Sequence, residues 1–408
     1  MSASLSESVA QAVRGLAPGA LGVAVSGGGD SMALLHLLAA HGPLRAVTVD
    51  HGLRPEAARE AALVGEICAG LGMPHDVLRW HWDGQGNLQD SARRARRRLI
   101  ADWAAPLGIT HVALAHTADD QAETFLMRLA REAGVDGLSG MAAETRSQGL
   151  TWLRPVLAHR RQELRDYLRA RGLSWVEDPS NENPRFERVR ARQALAALAP
   201  LGIGAGTLAR VAAQMAEARA ALEAQVSALV EGHARVEAGD VVIDAAALAA
   251  EPAEIRRRFL AQALRWVASA DYGPRRAALA RLMADIAAAR PATVHGCLVR
   301  PARGRLRIAR EYNAVAGTRA PAPGRWDGRW RLDGPETPGL EIRALGPEGL
   351  AQCPDPRASG LPRGTLLATP AVWDGDRLVA APLAGMGENW RAVLSVPHDS
   401  PLARVISH

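Results

Sequence analysis

Short apolar runs alternate with longer segments of helical period along the first 130 residues. Leu5, Val9, Ala12, Val13 and Leu16 fall near helical spacing and predict a helix over 1–18. A short apolar run at 21–25 reads as a buried strand, and an apolar helix over 32–40 follows a glycine-rich loop. Further strands are predicted at 44–50, 75–82 and 110–115. Helices are predicted at 56–71, stopped by Gly72 and Pro74, at 90–107 with a very basic face, and at 118–131. Strands and helices alternating at this spacing predict an α/β fold, with a parallel sheet covered on both faces.

The pattern changes near Pro200. Thr207 reads as an N-cap, and Leu208, Val211, Met215, Ala218, Leu222 and Leu229 mark a long amphipathic helix. Helices over 255–267 and 274–286 follow, the second with Pro274 at or near its first position. Leu306 and Ile308 alternate as a strand, and 313–324 (NAVAGTRAPAPG) reads as a linker. The rest looks β-rich, with a hairpin over 372–379 turning at Asp374-Gly375. The expected organisation is therefore a catalytic α/β domain over 1–200, a mainly helical domain over 201–312, the linker, and a small β-rich domain over 325–408. Trp326, Trp330 and Trp373 are expected in its core rather than as base-stacking platforms.

Composition narrows the chemistry. Lys+Arg is 49 in 408 residues, and every one of these side chains is arginine. Arginine stays protonated and cannot form a Schiff base. Pyridoxal-phosphate enzymes, lysyl-adenylate ligases, Walker-A NTPases and protein kinases, which need a specific lysine, are thereby excluded. The net charge of +6 fits a polyanionic partner as well as it fits an arginine-rich coding bias. Cys68, Cys297 and Cys353 lie far apart and make neither a CxxC pair nor a zinc knuckle. No uncharged apolar run reaches the roughly 18 residues that span a bilayer. The first residues carry neither the basic nor the apolar part of a secretory signal. A cytoplasmic protein with no membrane partner is expected.

The loop Ser26-Gly27-Gly28-Gly29-Asp30-Ser31 lies between a buried strand and a helix, the arrangement that holds phosphate on backbone N–H groups. Three glycines permit close approach of a pyrophosphate, and Ser26 and Ser31 add hydroxyl donors. Asp30 would repel phosphate unless a divalent cation stands between them, which implies Mg²⁺. SGGGDS resembles the SGGxDS signature of the PP-loop ATP pyrophosphatases. The resemblance implies an adenine nucleotide hydrolase-like fold and cleavage of ATP between its α and β phosphates, without a Walker lysine.

Further elements resemble one branch of that family, the tRNA(Ile)-lysidine synthetases. These are Asp50-His51-Gly52-Leu53-Arg54, the segment from Asn87 to Arg93 and Arg96, and His116-Thr-Ala-Asp119-Asp120-Gln121-Ala-Glu123-Thr124. Arg131 to Gly140, Arg154-Pro-Val-Leu157, and Asp178-Pro-Ser-Asn181 with Arg188, Arg190 and Arg192 complete the set, covering about 20–192. Arg97 stands where the family commonly has tyrosine, and Glu132 where it has glycine. The resemblance implies a ligase that joins free L-lysine to C2 of cytidine 34 in the CAU anticodon of tRNA(Ile). It does so through an adenylated base, with release of pyrophosphate and AMP, and changes the codon read from AUG to AUA.

On this reading ATP and Mg²⁺ lie on Ser26–Ser31, His51 and Gly52, with the metal at Asp30. Arg93 is the expected contact to the triphosphate or the leaving pyrophosphate. Asp119, Asp120 and Glu123 form an acidic corner for the lysine amine, with Asp119 and Asp120 also counted among the catalytic residues. Arg94, Arg97, Arg98, Arg188, Arg190 and Arg192, with the wider basic stretch 154–171, are expected on the tRNA backbone. Homodimer formation is left open. A 2-thiolating PP-loop enzyme would need at least one catalytic cysteine. A tRNA-binding protein without turnover would be indifferent to ATP and to Asp30.

Overall fold

A computed structural model describes residues 4–52, 57–82, 88–177 and 187–394. The chain divides into two compact units, up to Arg219 and from Ala220. Leu53, Arg54, Asn87 and the Asp178–Asn181 element, named above, lie outside the described residues.

In the first unit the elements run α1 (Leu5–Val13), β1 (Leu21–Ala24), α2 (Gly29–Ala39), β2 (Arg45–Asp50), α3 (Ala57–Gly70), β3 (His75–Arg79) and α4 (Leu88–Ala104). They continue with β4 (His111–Ala113), α5 (Ala118–Leu129), α6 (Val135–Leu138), β5 (Glu144–Ser147), β6 (Leu150–Leu153), α7 (Arg161–Arg169) and α8 (Glu187–Leu198), and α9 (Ala205–His233) begins in this unit and ends in the second. The strands order as β3-β2-β1-β4-β6-β5. All neighbours are parallel except the β5–β6 hairpin at the edge. The predicted α/β sheet is present. Its order reverses between β1 and β4, so a crevice opens at their C-terminal ends, where ligands of such sheets bind.

Both faces are covered, which is why the strands read as continuous apolar runs. Val23, Val25, Ala113 and Leu153 face α1, α2, α3 and α7 through Val9, Leu34, Leu38, Val64, Cys68 and Leu164. Val47, Val112 and Trp152 face Ile100 and Ala104 of α4. Cys68 is wholly buried, as expected of a core thiol, and burial pushes its pKa up to about 11.

The turn after α5 explains two sequence features. Glu132, at the position where the family has glycine, adopts a left-handed φ of 56°. Gly140 has φ 67°, and a Cβ there would lie 2.6 Å from Oε1 of Gln121. Gln121 clamps this turn. Its Oε1 accepts from Met141 N at 2.7 Å, and its Nε2 donates to Met141 O at 2.8 Å. Gly140→Ala should therefore cost about 2–4 kcal/mol, from left-handed strain and the displaced clamp. Urea unfolding of the variant beside the parent checks this.

The second unit has the expected helical middle and, beside it, a sheet that was not expected. Besides α10 (Ala245–Ala250), α11 (Ala253–Val267) and α12 (Arg276–Ala287), it holds a five-stranded antiparallel sheet. That sheet orders β7-β8-β11-β10-β9, from β7 (Ala234–Glu237), β8 (Asp240–Asp244), β9 (Ala292–Val294), β10 (Cys297–Ala302) and β11 (Arg305–Arg310). Phe259, Leu260 and Leu264 of α11 pack with its Val241, Ile243, Val299 and Ile308. α9 begins at Ala205, two residues before the expected cap, and Thr207 instead donates to Gly202 O at 3.1 Å. Pro274 precedes the cap residue Arg275 of α12.

The expected linker is folded. Ala320 pairs with Ile342 between β12 (Ala320–Pro321) and β15 (Glu341–Ala344), and Val315 is fully buried beside Trp326. Two small sheets complete the unit. One contains β12, β15, β16 (Pro370–Asp374) and β17 (Arg377–Ala380). The other joins β13 (Gly324–Trp326), β14 (Trp330–Asp333) and β18 (Arg391–Leu394). The expected hairpin is present, but Asp374 pairs with Arg377, so the turn is Gly375-Asp376, one residue later than expected; Trp326, Trp330 and Trp373 are buried. No single helix among the described residues is long and apolar enough to cross a membrane.

Candidate active site

A cavity of about 860 Å³ opens at the β1/β4 crevice. Its floor is the end of β1, and one wall is the loop running into α2, through Ser26, Gly28, Gly29, Asp30 and Ser31 but not Gly27. The loop is tied internally. Ser31 Oγ donates to Gly28 O at 2.9 Å and accepts from Ser26 N at 3.1 Å. Gly27 takes φ 82°, and its carbonyl accepts from Val176 N at 2.9 Å. Gly29 packs so closely on Trp175 that a Cβ would lie 3.3 Å from the indole. The loop is thus a narrow, backbone-lined cradle at a helix start, which suits phosphate.

Asp30 is the second residue of α2 and lines the cavity. Its Oδ2 accepts from Arg161 Nε at 2.9 Å, while its Oδ1 is buried with no partner. Burial raises the Asp30 pKa against the lowering effect of Arg161. The unpartnered oxygen fits a hard cation that shares its remaining positions with phosphate and water.

Of the three acids of α5 only Asp120 lines the same cavity, and their roles are unequal. Thr117 caps the helix. Asp120 Oδ2 accepts from Thr117 N and Oγ1, each at 2.8 Å, which leaves Oδ1 for Arg161 Nη2 at 3.1 Å. Glu123 is 1% exposed, and its Oε1 accepts from Arg192 Nε at 2.5 Å and Arg161 Nη1 at 3.4 Å. Its Oε2 is buried with no partner. Asp119 is not in the cavity lining. It takes a bidentate pair from Arg160 at 2.9 and 3.0 Å and the Arg161 N–H at 2.8 Å, so it anchors the start of α7. Burial would raise its pKa, but the Arg160 and Arg161 hydrogen bonds hold it below the usual carboxylate range.

The arginines sort by helix face. On α4 the cavity takes Arg96, not Arg93, which is exposed. Arg97 stacks over Trp152 at 5.4 Å, so it packs against the fold, while Arg94 and Arg98 are exposed. On α8, Arg188 and Arg192 are four apart and both line the cavity. Arg190 points elsewhere because alternate residues do not share a helix face. Arg154, inside the stretch expected on RNA, is buried and donates to Ala142 O at 2.7 Å. That geometry removes it from any surface.

Arg161 and Arg165, inside the stretch expected on RNA, line the cavity instead, and Arg96, His116, Glu177 and Gln193 also line it without having been assigned a role from sequence. His116 stood in a named motif, and its place at the strand end was the available signal. Arg161 had no signal beyond a basic run. His51 also lines the cavity and meets Trp80 edge-on at 5.6 Å. Gly52 is not in the lining. It turns at φ 62° and donates to Asp50 Oδ1 at 2.9 Å.

Burial lowers the His116 pKa to about 4, with Asp120 opposing and Arg154, Arg188 and Arg96 assisting. Its folded value is depressed, so its contribution to stability is present above the ordinary value near 6.5 and fades as pH falls toward 4. That acid limb amounts to at most about 1.4 kcal/mol per pH unit. His116→Gln should flatten it, as urea unfolding at pH 7 and pH 5 would show.

A model of the PP-loop domain matches residues 1–199. A tRNA(Ile)-lysidine synthase of Ruegeria pomeroyi is 50% identical over 397 residues, covering 96% of this chain and 95% of that one. One of a Bradyrhizobium strain is 43% identical over 278 residues, covering 63% and 78%. The solved structure of a U34-tRNA thiolase of Methanococcus maripaludis is similar over 52% of this chain and 78% of that one, with 15% identity and a TM-score of 0.45. By the identity and coverage of the first of these relatives, the chain belongs to the tRNA(Ile)-lysidine synthase family.

Proposed function

We propose that this chain joins free L-lysine to cytidine 34 of tRNA(Ile) bearing a CAU anticodon, as a carbon–nitrogen ligase of the cytoplasm that uses ATP. The observation that carries this reading is one cavity lined by both the nucleotide loop, through Ser26 and Gly28 to Ser31, and Asp120 of α5, with Glu123 buried behind Arg161 and Arg192. ATP is assigned to the cradle, with its phosphates on the Gly28 and Gly29 backbone and the Ser26 and Ser31 hydroxyls. Asp30 would hold Mg²⁺, which when bound neutralises triphosphate charge. The C2 oxygen of the unstacked base attacks the α-phosphorus and pyrophosphate leaves. The lysine ε-amine then attacks C2, loses a proton, and AMP departs with the C2 oxygen.

Arg96, Arg188 and Arg192 are assigned to the developing phosphate charge, because they line the cavity. Arg93, Arg94, Arg98 and Arg190 are assigned to the RNA backbone. Asp120 and Glu123 remain the candidates for the lysine amine. Asp119 is assigned to positioning α7. With tRNA(Ile), ATP and Mg²⁺, AMP should form only when lysine is added. Lysine-independent AMP formation with a sulfur donor would instead favour a thiolating enzyme.

A further inference from the structure

Arg161 touches both the nucleotide loop and the acidic corner. Each of its three guanidinium nitrogens meets a different carboxylate: Nε with Asp30 at 2.9 Å, Nη2 with Asp120 at 3.1 Å and Nη1 with Glu123 at 3.4 Å. Its backbone is fixed at the first position of α7 by Asp119, while the guanidinium reaches into the cavity. The three carboxylates stand on two elements, α2 and α5. Two of them retain a buried oxygen without a partner, Asp30 Oδ1 and Glu123 Oε2, so the corner has acceptor capacity that the arginine does not fill.

We infer that Arg161 is a resident cation that holds the lysine corner closed until a triphosphate arrives, so that binding of ATP creates the site for the amine. The inference rests on the lysine-ligating reading above. An ammonium approaching Glu123 Oε2 meets the like charge of Arg161, which is seated on Asp120 Oδ1 and Glu123 Oε1. A triphosphate on the Ser26–Ser31 cradle offers the guanidinium a denser set of anionic oxygens, and planar bidentate pairing with phosphate is what arginine does best. The same cradle also brings Mg²⁺ to Asp30, which removes one of the three carboxylates from Arg161. Both changes draw the guanidinium from the corner toward the nucleotide. Asp120 Oδ1 and Glu123 Oε2 are left for a primary ammonium, while Arg192 stays on Glu123 Oε1. Coupling of this kind is reciprocal, so lysine tightens nucleotide binding by the same factor.

The test is binding of radiolabelled lysine to the full chain by equilibrium dialysis, with and without Mg²⁺ and a non-hydrolysable α,β-methylene analogue of ATP. In the parent protein the analogue should tighten lysine binding at least about tenfold, within the usual range of such couplings. Arg161→Gln should bind lysine equally with and without the analogue, and more tightly than the parent when the analogue is absent. Arg161→Lys, whose point charge cannot span three carboxylates, should show coupling between the two, and it serves if the Gln variant does not fold. Lysine binding in the parent that ignores the analogue, or full coupling retained in either variant, overturns the role of Arg161. Absence of lysine binding in every state counts instead against the ligase reading.

Discussion

Asp30→Ala is expected to lower AMP formation by about three orders of magnitude while leaving the melting temperature unchanged or slightly raised. The two halves of that expectation have one cause. Asp30 sits at the start of α2 with one oxygen on Arg161 and the other buried without a partner. Burial raises its pKa despite the arginine, so the folded chain gains nothing from the ionised carboxylate alone. Removing it should not weaken the fold. In the working complex the same carboxylate would neutralise triphosphate charge through its cation, a term commonly worth about 10²–10³ in rate or more. A variant that loses both activity and stability together would contradict this division.

Glu123→Ala is expected to cost about 3 kcal/mol of stability. The carboxylate is 1% exposed and takes Arg192 at 2.5 Å and Arg161 at 3.4 Å. Breaking a buried pair by deleting one partner leaves an uncompensated charge, which typically costs about 3–5 kcal/mol. The lower end applies here because Arg161 keeps Asp30 and Asp120 as partners. Glu123→Gln, which preserves volume and one acceptor, should lose less. Urea unfolding of both variants decides the matter, and a loss below about 1 kcal/mol for the alanine would mean the pair adds little.

The catalytic fold was legible because its signals are local. The triple glycine after a four-residue strand, the Thr117 cap and the apolar run of α2 each fix their own backbone. Of the five-stranded sheet of the second unit only β11 was legible, from Leu306 and Ile308. The other strands are three to six residues long, too short for period to separate strand from helix. In the site, residue types were readable and pairings were not. Asp119, Asp120 and Glu123 look alike in the motif, yet one anchors α7, one caps α5 and meets the cavity, and one is buried between two arginines. Arg93 and Arg96 are three apart on one helix, and only tertiary packing places Arg96 in the cavity. Arg161 comes from a segment 131 residues beyond Asp30, a partnership that no local spacing encodes.

The central claim is that one cavity activates cytidine 34 with ATP and delivers lysine to it. The most direct measurement is mass analysis of nucleosides from tRNA(Ile) with a CAU anticodon, after incubation with the purified chain, ATP, Mg²⁺ and isotopically labelled lysine. The expected result is a labelled nucleoside heavier than cytidine by one lysine less one water, at position 34 only, and absent with Asp30→Ala. An unmodified cytidine 34 under conditions where ATP is consumed and tRNA is bound would contradict the account.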